Sequence, residues 1–103
     1  MGYTLVFDEV IIKQLKHAVK NQQIKNILQK ILDKIEQDGP NAGRLIDSKL
    51  FLYEIKLMRP PIRLYFRHIK INNEIYIFEY QMKNSSEKQQ DTINTIRKKV
   101  LKP

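Results

Sequence analysis

The chain has 103 residues, 42% of them hydrophobic, and its 19 Lys and Arg outnumber 11 Asp and Glu to give a formal net charge of +8 at pH 7. This length predicts one domain over residues 1–103 with a single hydrophobic core. The absence of cysteine excludes disulfides and thiol chemistry, and the two histidines lie too far apart in sequence to indicate a metal site. No stretch is apolar enough to span a bilayer and the first residues lack a signal-peptide pattern, so we expect a cytoplasmic protein.

The positive charge is concentrated in the second half of the chain. Residues 1–48 carry a net charge of +1, whereas residues 49–103 carry +7. Several of these cations fall inside predicted strands, so they are expected to be spaced regularly on one face of a sheet. Such a surface favours an acidic partner, and RNA is the first candidate.

The first part of the chain predicts a strand followed by a helical hairpin. Residues 3–7 are β-branched and aromatic, and Asp8 can cap a helix that starts at Glu9. A second helix ends at Gly39 and Pro40, which suit a helix stop. Its apolar residues recur on one stripe at helical spacing: Ile24, Ile27, Leu28, Ile31, Leu32 and Ile35.

The second part predicts three consecutive strands. Residues 41–49 are expected to form a loop, and residues 51–58 then alternate between apolar and polar side chains. A turn with two prolines leads to a strand over 62–71, and an Asn-Asn pair leads to a third over 74–82. The third strand is apolar on both faces, which indicates a central position in the sheet.

A last helix is expected after a polar break. Ser86 and Gln89 fit a capping box, and Ile93, Ile96 and Val100 give a narrow apolar stripe. The predicted order is therefore β-α-α-β-β-β-α, an α+β fold with a twisted antiparallel sheet and the helical hairpin packed on one face.

Strand alternation assigns side chains to the two faces of this sheet. The hairpin side is expected to receive Tyr53, Ile55, Leu57, Leu64 and Phe66. The other side is expected to be open to solvent and to present Lys56, Arg63, Tyr65 and Arg67. Like charges facing each other across strands reduce stability, so we expect the cations kept on this face to have a function.

Three segments carry a resemblance to a known family. Residues 52–57 read Leu-Tyr-Glu-Ile-Lys-Leu, 62–66 read Ile-Arg-Leu-Tyr-Phe, and 78–83 read Phe-Glu-Tyr-Gln-Met-Lys. Together with the preceding helical hairpin they resemble the RelE/ParE toxin superfamily over nearly the whole chain. The Tyr-Glu-Ile-Lys wording and the Phe…Lys ending are most similar to its HigB-like, phage-derived branch.

The resemblance implies a function and partners. Such toxins are similar in fold to small ribonucleases, many cut messenger RNA in the ribosomal decoding site without a metal, and a cognate antitoxin holds them inactive. It therefore implies a type II toxin whose partners are an antitoxin and mRNA in the ribosome, with no cofactor, no metal and no membrane.

The resemblance also suggests catalytic residues. Arg63 matches the strand arginine that contacts the scissile phosphate, and Lys56 and Lys83 match basic residues of the neighbouring and last strands. Two positions depart from the pattern, because Glu54 stands where some members have a second lysine and Asn84 where an arginine often follows. The terminal helix also lacks the tyrosine or histidine that several members use for proton transfer.

The chemistry of metal-free RNA cleavage gives these residues their roles. The reaction needs a base for the 2′-hydroxyl, cations for the charged phosphorane and an acid for the leaving oxygen. The planar fork of Arg63 suits two phosphate oxygens, and Lys56 and Lys83 can stabilise charge or act as base. Each has a structural alternative as a solvated strand cation.

Further residues of the same region are candidates for binding RNA or for assisting catalysis. Arg67 and Arg59 are expected to contact the RNA backbone, and Tyr65 to stack on a base. Glu54 is a candidate base or a residue that orients Lys56 or Arg63, with a cross-strand salt bridge as its structural alternative.

Two other functions remain open from sequence. One is a ParE-like toxin that inhibits DNA gyrase and cuts no RNA. The other is a non-catalytic member that retains only the fold, which the missing terminal-helix residues favour.

Overall fold

The computed structural model describes residues 2–82 and 86–102. Five strands form one sheet in the order β1-β5-β4-β3-β2, and three helices cover its two faces. The elements are β1 Thr4–Phe7, α1 Glu9–Ala18, α2 Gln22–Asp38, β2 Arg44–Asp47, β3 Leu52–Met58, β4 Pro61–Ile69, β5 Glu74–Met82 and α3 Ser86–Leu101, with short 3-10 turns at Gly39–Ala42 and Lys70–Asn72.

The α+β fold class and the predicted elements are confirmed, with two corrections to the sheet. The expected loop over 41–49 contains an additional edge strand, β2, which pairs antiparallel with β3. The sheet is mixed and not wholly antiparallel, because β1 pairs parallel with β5. The helical hairpin connects β1 on one edge of the sheet to β2 on the opposite edge, and β1 runs parallel to its neighbour β5. As predicted, β5 lies between two other strands.

The ends of the hairpin helices are set by side-chain caps. The carboxylate of Asp8 accepts a hydrogen bond from the Val10 amide at 3.0 Å, and the side chain of Asn21 accepts one from the Ile24 amide at 3.2 Å. Gly39 follows α2 with a φ of 60°, a conformation that glycine adopts without strain. The ring of Tyr3 lies where a side chain at Gly39 would project, so this position also needs glycine for space.

The main core lies between the hairpin and one face of the sheet. The apolar stripe of α2 supplies its buried residues Ile24, Leu28, Ile31, Leu32 and Ile35. The strand residues expected on this face, Tyr53, Ile55, Leu57, Leu64 and Phe66, all belong to this core, which confirms the predicted strand alternation.

The opposite face of the sheet is covered by α3, so the expectation of an open face is wrong. Ile93 and Ile96 of α3 are 7% and 0% exposed and belong to a second core cluster. A β-bulge where Tyr65 and Phe66 meet β5 leaves Phe78 without a paired residue on β4 and in contact with this cluster. The α3 stripe thus finds its apolar partners on the sheet face that also carries the cations.

Candidate functional site

Lys56 and Arg63 are directly opposite each other on β3 and β4. Residues in register on adjacent strands point to the same face, so the two predicted catalytic cations share the α3 side of the sheet. Lys56 is exposed to solvent, whereas the side chain of Arg63 is only 16% exposed. The site therefore combines one exposed ammonium and one largely covered guanidinium.

Glu54 fixes the guanidinium of Arg63. Its side chain is 1% exposed, and Oε2 lies 3.2 Å from Nη1 of Arg63. Arg44, on the additional strand β2, approaches Oε1 at 3.5 Å but is itself 75% exposed. The carboxylate predicted to be a base or an orienting group is therefore buried between two arginines, which fits an orienting role and the salt-bridge alternative better than proton abstraction.

Gln89 of α3 closes this cluster from above. Its side-chain amide donates to Oε2 of Glu54 at 2.8 Å, the same oxygen that pairs with Arg63. The sequence suggested a capping box for Gln89, whereas the structure places its amide on a buried carboxylate 35 residues away. Buried carboxylates need several donors, and Glu54 has three within reach.

Tyr65 is fully buried beneath α3, so the expected base-stacking role is wrong for this conformation. Its hydroxyl donates to the side-chain oxygen of Gln81 at 3.0 Å, and the amide of Gln81 donates onward to the hydroxyl of Thr92 on α3. Burial, followed by the nearby negative charge of Glu54, raises the pKa of Tyr65 well above its ordinary range. The ring belongs to the packing between sheet and helix.

The two arginines predicted to bind RNA backbone lie in different settings. Arg67 is opposite Leu52 on the α3 face, and its Nε donates to the carbonyl of Leu50 at 3.0 Å. Arg59 is exposed in the turn between β3 and β4. Arg59 remains accessible at the strand end next to Lys56 and Arg63, whereas Arg67 is held two pleats further along β4.

Lys83, the third predicted catalytic cation, lies outside the described residues, as does Asn84. Within residues 2–82 and 86–102, no cluster of three or more His, Cys, Asp or Glu side chains could hold a metal ion. No described helix is long and apolar enough to cross a bilayer.

The sequence missed Gln89 and Arg44 as members of the site. Arg44 lies in the segment that the sequence predicts as a loop, because β2 has only four residues and no clear alternation. The sequence predicts a capping role for Gln89, and nothing in it indicates which sheet residue lies beneath this side chain. Both contacts depend on how β2 and α3 close over β3.

Comparison with known proteins gives structural matches only. No protein-family model and no curated protein matches the chain. Among solved structures, the isolated E. coli RelE toxin aligns with a TM-score of 0.66 and 23% identity over 91% of this chain and 98% of that one. A double mutant of E. coli RelE in the free state aligns with a TM-score of 0.70 and 22% identity, covering 93% and 99%.

A third match is the toxin in the intact E. coli RelBE toxin–antitoxin complex, with a TM-score of 0.65 and 21% identity over 81% of this chain and 99% of that one. At these identities the likeness establishes the fold, which is that of RelE. The chain spans nearly the full length of each of these structures.

Proposed function

We propose that this chain is the toxin of a type II toxin–antitoxin system and acts as a metal-independent, ribosome-dependent endoribonuclease that cleaves mRNA. The RelE fold supports the toxin class, and the solved RelBE complex supports an antitoxin partner. A ribosomal substrate implies a cytoplasmic protein, and that location is part of the proposal. The amino-acid sequence of residues 52–57 and 78–83 supports assignment to the HigB-like branch.

The observation that carries the endoribonuclease proposal is the pairing of Lys56 with Arg63 on one face. A guanidinium held by Glu54 has a fixed orientation, and its positive charge can stabilise the charge of a scissile phosphate. The neighbouring Lys56 ammonium is exposed and can move to the charge that develops on the phosphorane. Lys83 is proposed as a further cation of the site, and Arg59 as a contact to the RNA backbone.

Neither Tyr65 nor Glu54 is accessible for proton transfer in this chain. Tyr65 is buried with a raised pKa, and Glu54 is enclosed by cationic and amide donors. We assign Glu54 to the orientation of Arg63. Lys56 or Lys83 then serves as the base.

A non-catalytic RelE-like protein is the alternative that a specific observation favours. Arg63 is largely covered and already neutralised by a buried carboxylate, with Gln89 of α3 on the same oxygen. A protein that kept the fold without the reaction would need neither an accessible guanidinium nor a proton-transfer group. A gyrase inhibitor would stop DNA replication first in cells, whereas an endoribonuclease would stop protein synthesis first and a non-catalytic protein would stop neither.

The proposal is tested by inducing the chain in bacteria and following protein synthesis and DNA replication separately. We expect translation to stop first and transcripts to be cut at discrete positions, and purified ribosomes programmed with mRNA to give the same cuts in EDTA. Cessation of replication with intact transcripts would identify the gyrase function instead. Growth without arrest would favour the non-catalytic alternative.

Two variants link the activity to the site. Lys56→Gln removes an exposed cation and Arg63→Gln removes the held guanidinium, and each is expected to lower transcript cleavage by about 100-fold or more. Lys16→Gln removes an exposed charge of α1 as the matched control and should leave cleavage unchanged. If both site variants cleave transcripts at the wild-type rate, the assignment of Lys56 and Arg63 to the catalytic site is wrong.

A further inference from the structure

A cavity of about 280 Å³ lies on the α3 side of the sheet, between the last turns of α3 and the end of β4. Arg67 lines this cavity and stands four residues beyond Arg63, about 13 Å along the strand. Lys56, Arg63 and Glu54 do not line it. This β4–α3 cavity is therefore separate from the candidate site, and the proposed cleavage of RNA does not use it.

The floor of the β4–α3 cavity is apolar and largely aromatic. Tyr76 and Phe78 of β5 contribute two rings whose centroids are 4.9 Å apart, with their planes inclined at 59°. Ile69 of β4 and Val100 of α3 add aliphatic surface. Such a floor gains free energy when the apolar part of a ligand covers it.

Three polar groups of the cavity are bonded to one another. The carboxylate of Asp8 accepts a hydrogen bond from the Tyr76 hydroxyl at 2.8 Å and from the Lys99 ammonium at 3.1 Å. The charges of Asp8 and Lys99 balance each other, and the hydroxyl of Tyr76 uses its single hydrogen. This part of the lining therefore contributes no net charge to the cavity.

Arg67 supplies the unbalanced charge. Its Nε donates to the carbonyl of Leu50 at 3.0 Å, which holds the guanidinium in place. Among residues 2–82 and 86–102, Arg67 has no ion-pair partner. A planar guanidinium binds the two oxygens of one carboxylate side by side, so an anion is the group that fits here.

We propose that the β4–α3 cavity binds a small organic acid with one carboxylate and an apolar body. The carboxylate pairs with the guanidinium of Arg67, and the ring or branched chain of the acid covers Tyr76 and Phe78. One negative charge matches the one unbalanced cation, whereas a phosphate monoester carries about two at pH 7. Sites for drug-sized ligands span about 300–1,000 Å³, so this smaller cavity suits a molecule with a single ring.

The lining argues against a nucleotide as the occupant. A nucleobase is recognised by hydrogen bonds along its polar edges as well as by stacking. Asp8 and Tyr76 are already bonded to each other, and the remaining floor is apolar. A base in this cavity would leave polar edge groups unpaired, which lowers affinity, whereas an apolar body loses nothing there.

The experiment titrates 3-phenylpropionate and 4-methylpentanoate separately into the full chain at pH 7. At least one acid is expected to shift the methyl NMR signals of Ile69 and Val100 and to saturate below about 10 mM, an affinity typical of such small ligands. The matched alcohols, 3-phenylpropanol and 4-methylpentanol, are expected to bind at least about tenfold more weakly because they cannot pair with Arg67. If neither acid saturates these signals, or if the alcohols bind equally well, the proposal is wrong.

Two arginine variants test whether Arg67 is the anchor. Arg67→Gln should weaken binding of the acid by about tenfold or more. Arg44→Gln makes the same change of residue and of net charge outside the cavity, and should alter binding by no more than about twofold. Equal weakening by the two variants would overturn the proposal, because binding would then follow overall charge.

A third variant tests the cavity itself without changing any charge. Val100→Phe places a larger apolar side chain in the space that the acid needs, and should also weaken binding by about tenfold or more. Urea denaturation shows whether this variant is folded, and Arg67→Gln decides the question if it is not. Unchanged binding by the folded Val100→Phe protein would place the acid elsewhere and overturn the proposal.

Uridine 5′-monophosphate separates an acid site from a path for RNA. If it shifts the signals of Ile69 and Val100 at lower concentration than both acids, the cavity is a nucleotide site and the proposal is overturned. Weaker binding of the nucleotide supports the proposal. Acid binding at Arg67 in a chain that cleaves no transcript would reject the proposed function and leave the acid site supported.

Discussion

The Nη1 of Arg63 and the Oε2 of Glu54 are 3.2 Å apart across β3 and β4, and the carboxylate side chain is 1% exposed. The two residues are not directly opposite: Glu54 faces Tyr65, and Arg63 faces Lys56. The ion pair is therefore diagonal, and it turns the guanidinium along the strand towards the cluster under α3. The guanidinium that we propose contacts phosphate is in this way held in a fixed direction by a carboxylate of the same sheet.

The first prediction concerns the stability that this pair contributes. Glu54→Gln removes the charge but keeps an acceptor, so the largely covered Arg63 loses its 3.2 Å ion pair with a buried carboxylate. We expect the free energy of unfolding to fall by about 1–3 kcal/mol, measured by urea denaturation. Arg44→Gln removes the exposed partner of the same carboxylate and should change it by no more than about 0.5 kcal/mol. An unchanged midpoint for Glu54→Gln would contradict this account.

The second prediction concerns Gln89 as the link between α3 and the cluster. Gln89→Ala removes the 2.8 Å hydrogen bond to Glu54, and we expect a loss of about 1 kcal/mol and faster amide exchange in the first turns of α3. Gln90→Ala is the matched control, because Gln90 donates to Asn94 on the exposed side of the same helix. Equal exchange rates in the two variants would mean that Gln89 does not anchor the helix.

Local patterns predicted the hairpin and the shared face of the cations. The helical period of α2, the cap Asp8 and the stop at Gly39 act within a few residues of the chain. The register of Lys56 and Arg63 follows from two strands joined by a short turn, which leaves little freedom for slippage. These features could be predicted because neighbouring residues determine them.

The position of α3 could not be predicted in the same way. Its stripe has few apolar residues, and a helix at the end of the chain can pack on either face of a sheet. The strands do contain an indication that this face is covered. Leu52, Tyr65 and Phe78 are large side chains on the face that was expected to be open. Burying these apolar side chains under α3 stabilises the fold although cations lie beside them. The parallel pairing of β1 with β5 joins segments distant in sequence, so no local pattern indicates it.

The third prediction separates packing from catalysis at Tyr65. Tyr65→Phe removes the hydroxyl that donates to Gln81 and keeps the buried ring, so we expect a loss of about 1 kcal/mol in stability and unchanged transcript cleavage. Tyr65→Ala removes the ring from a fully buried site and should cost about 3–5 kcal/mol. A large fall in cleavage by the folded Tyr65→Phe protein would restore a chemical role for the hydroxyl.

The fourth prediction uses the acid titration of Asp8, which ties α1, β5 and α3 together. Its carboxylate accepts from the Val10 amide, from the Tyr76 hydroxyl at 2.8 Å and from the Lys99 ammonium at 3.1 Å. Burial on its own would raise the pKa of Asp8, but these hydrogen bonds and the charge of Lys99 lower it below the ordinary value. A carboxylate with a lowered pKa stabilises the fold above its unfolded pKa of 3.8, and that contribution is lost as the pH falls through the folded value.

Asp8→Asn tests this sign, because asparagine retains the helix cap but cannot carry the charge. We expect the variant to be less stable than the wild type at pH 7 by about 1–2 kcal/mol, with the gap closing as urea midpoints are measured from pH 5 down to pH 2. Asp33→Asn removes an exposed carboxylate of α2 and should leave the pH dependence as in the wild type. A gap that stays constant down to pH 2 would show that the charge of Asp8 contributes nothing, and that the loss comes from altered packing beside Tyr76.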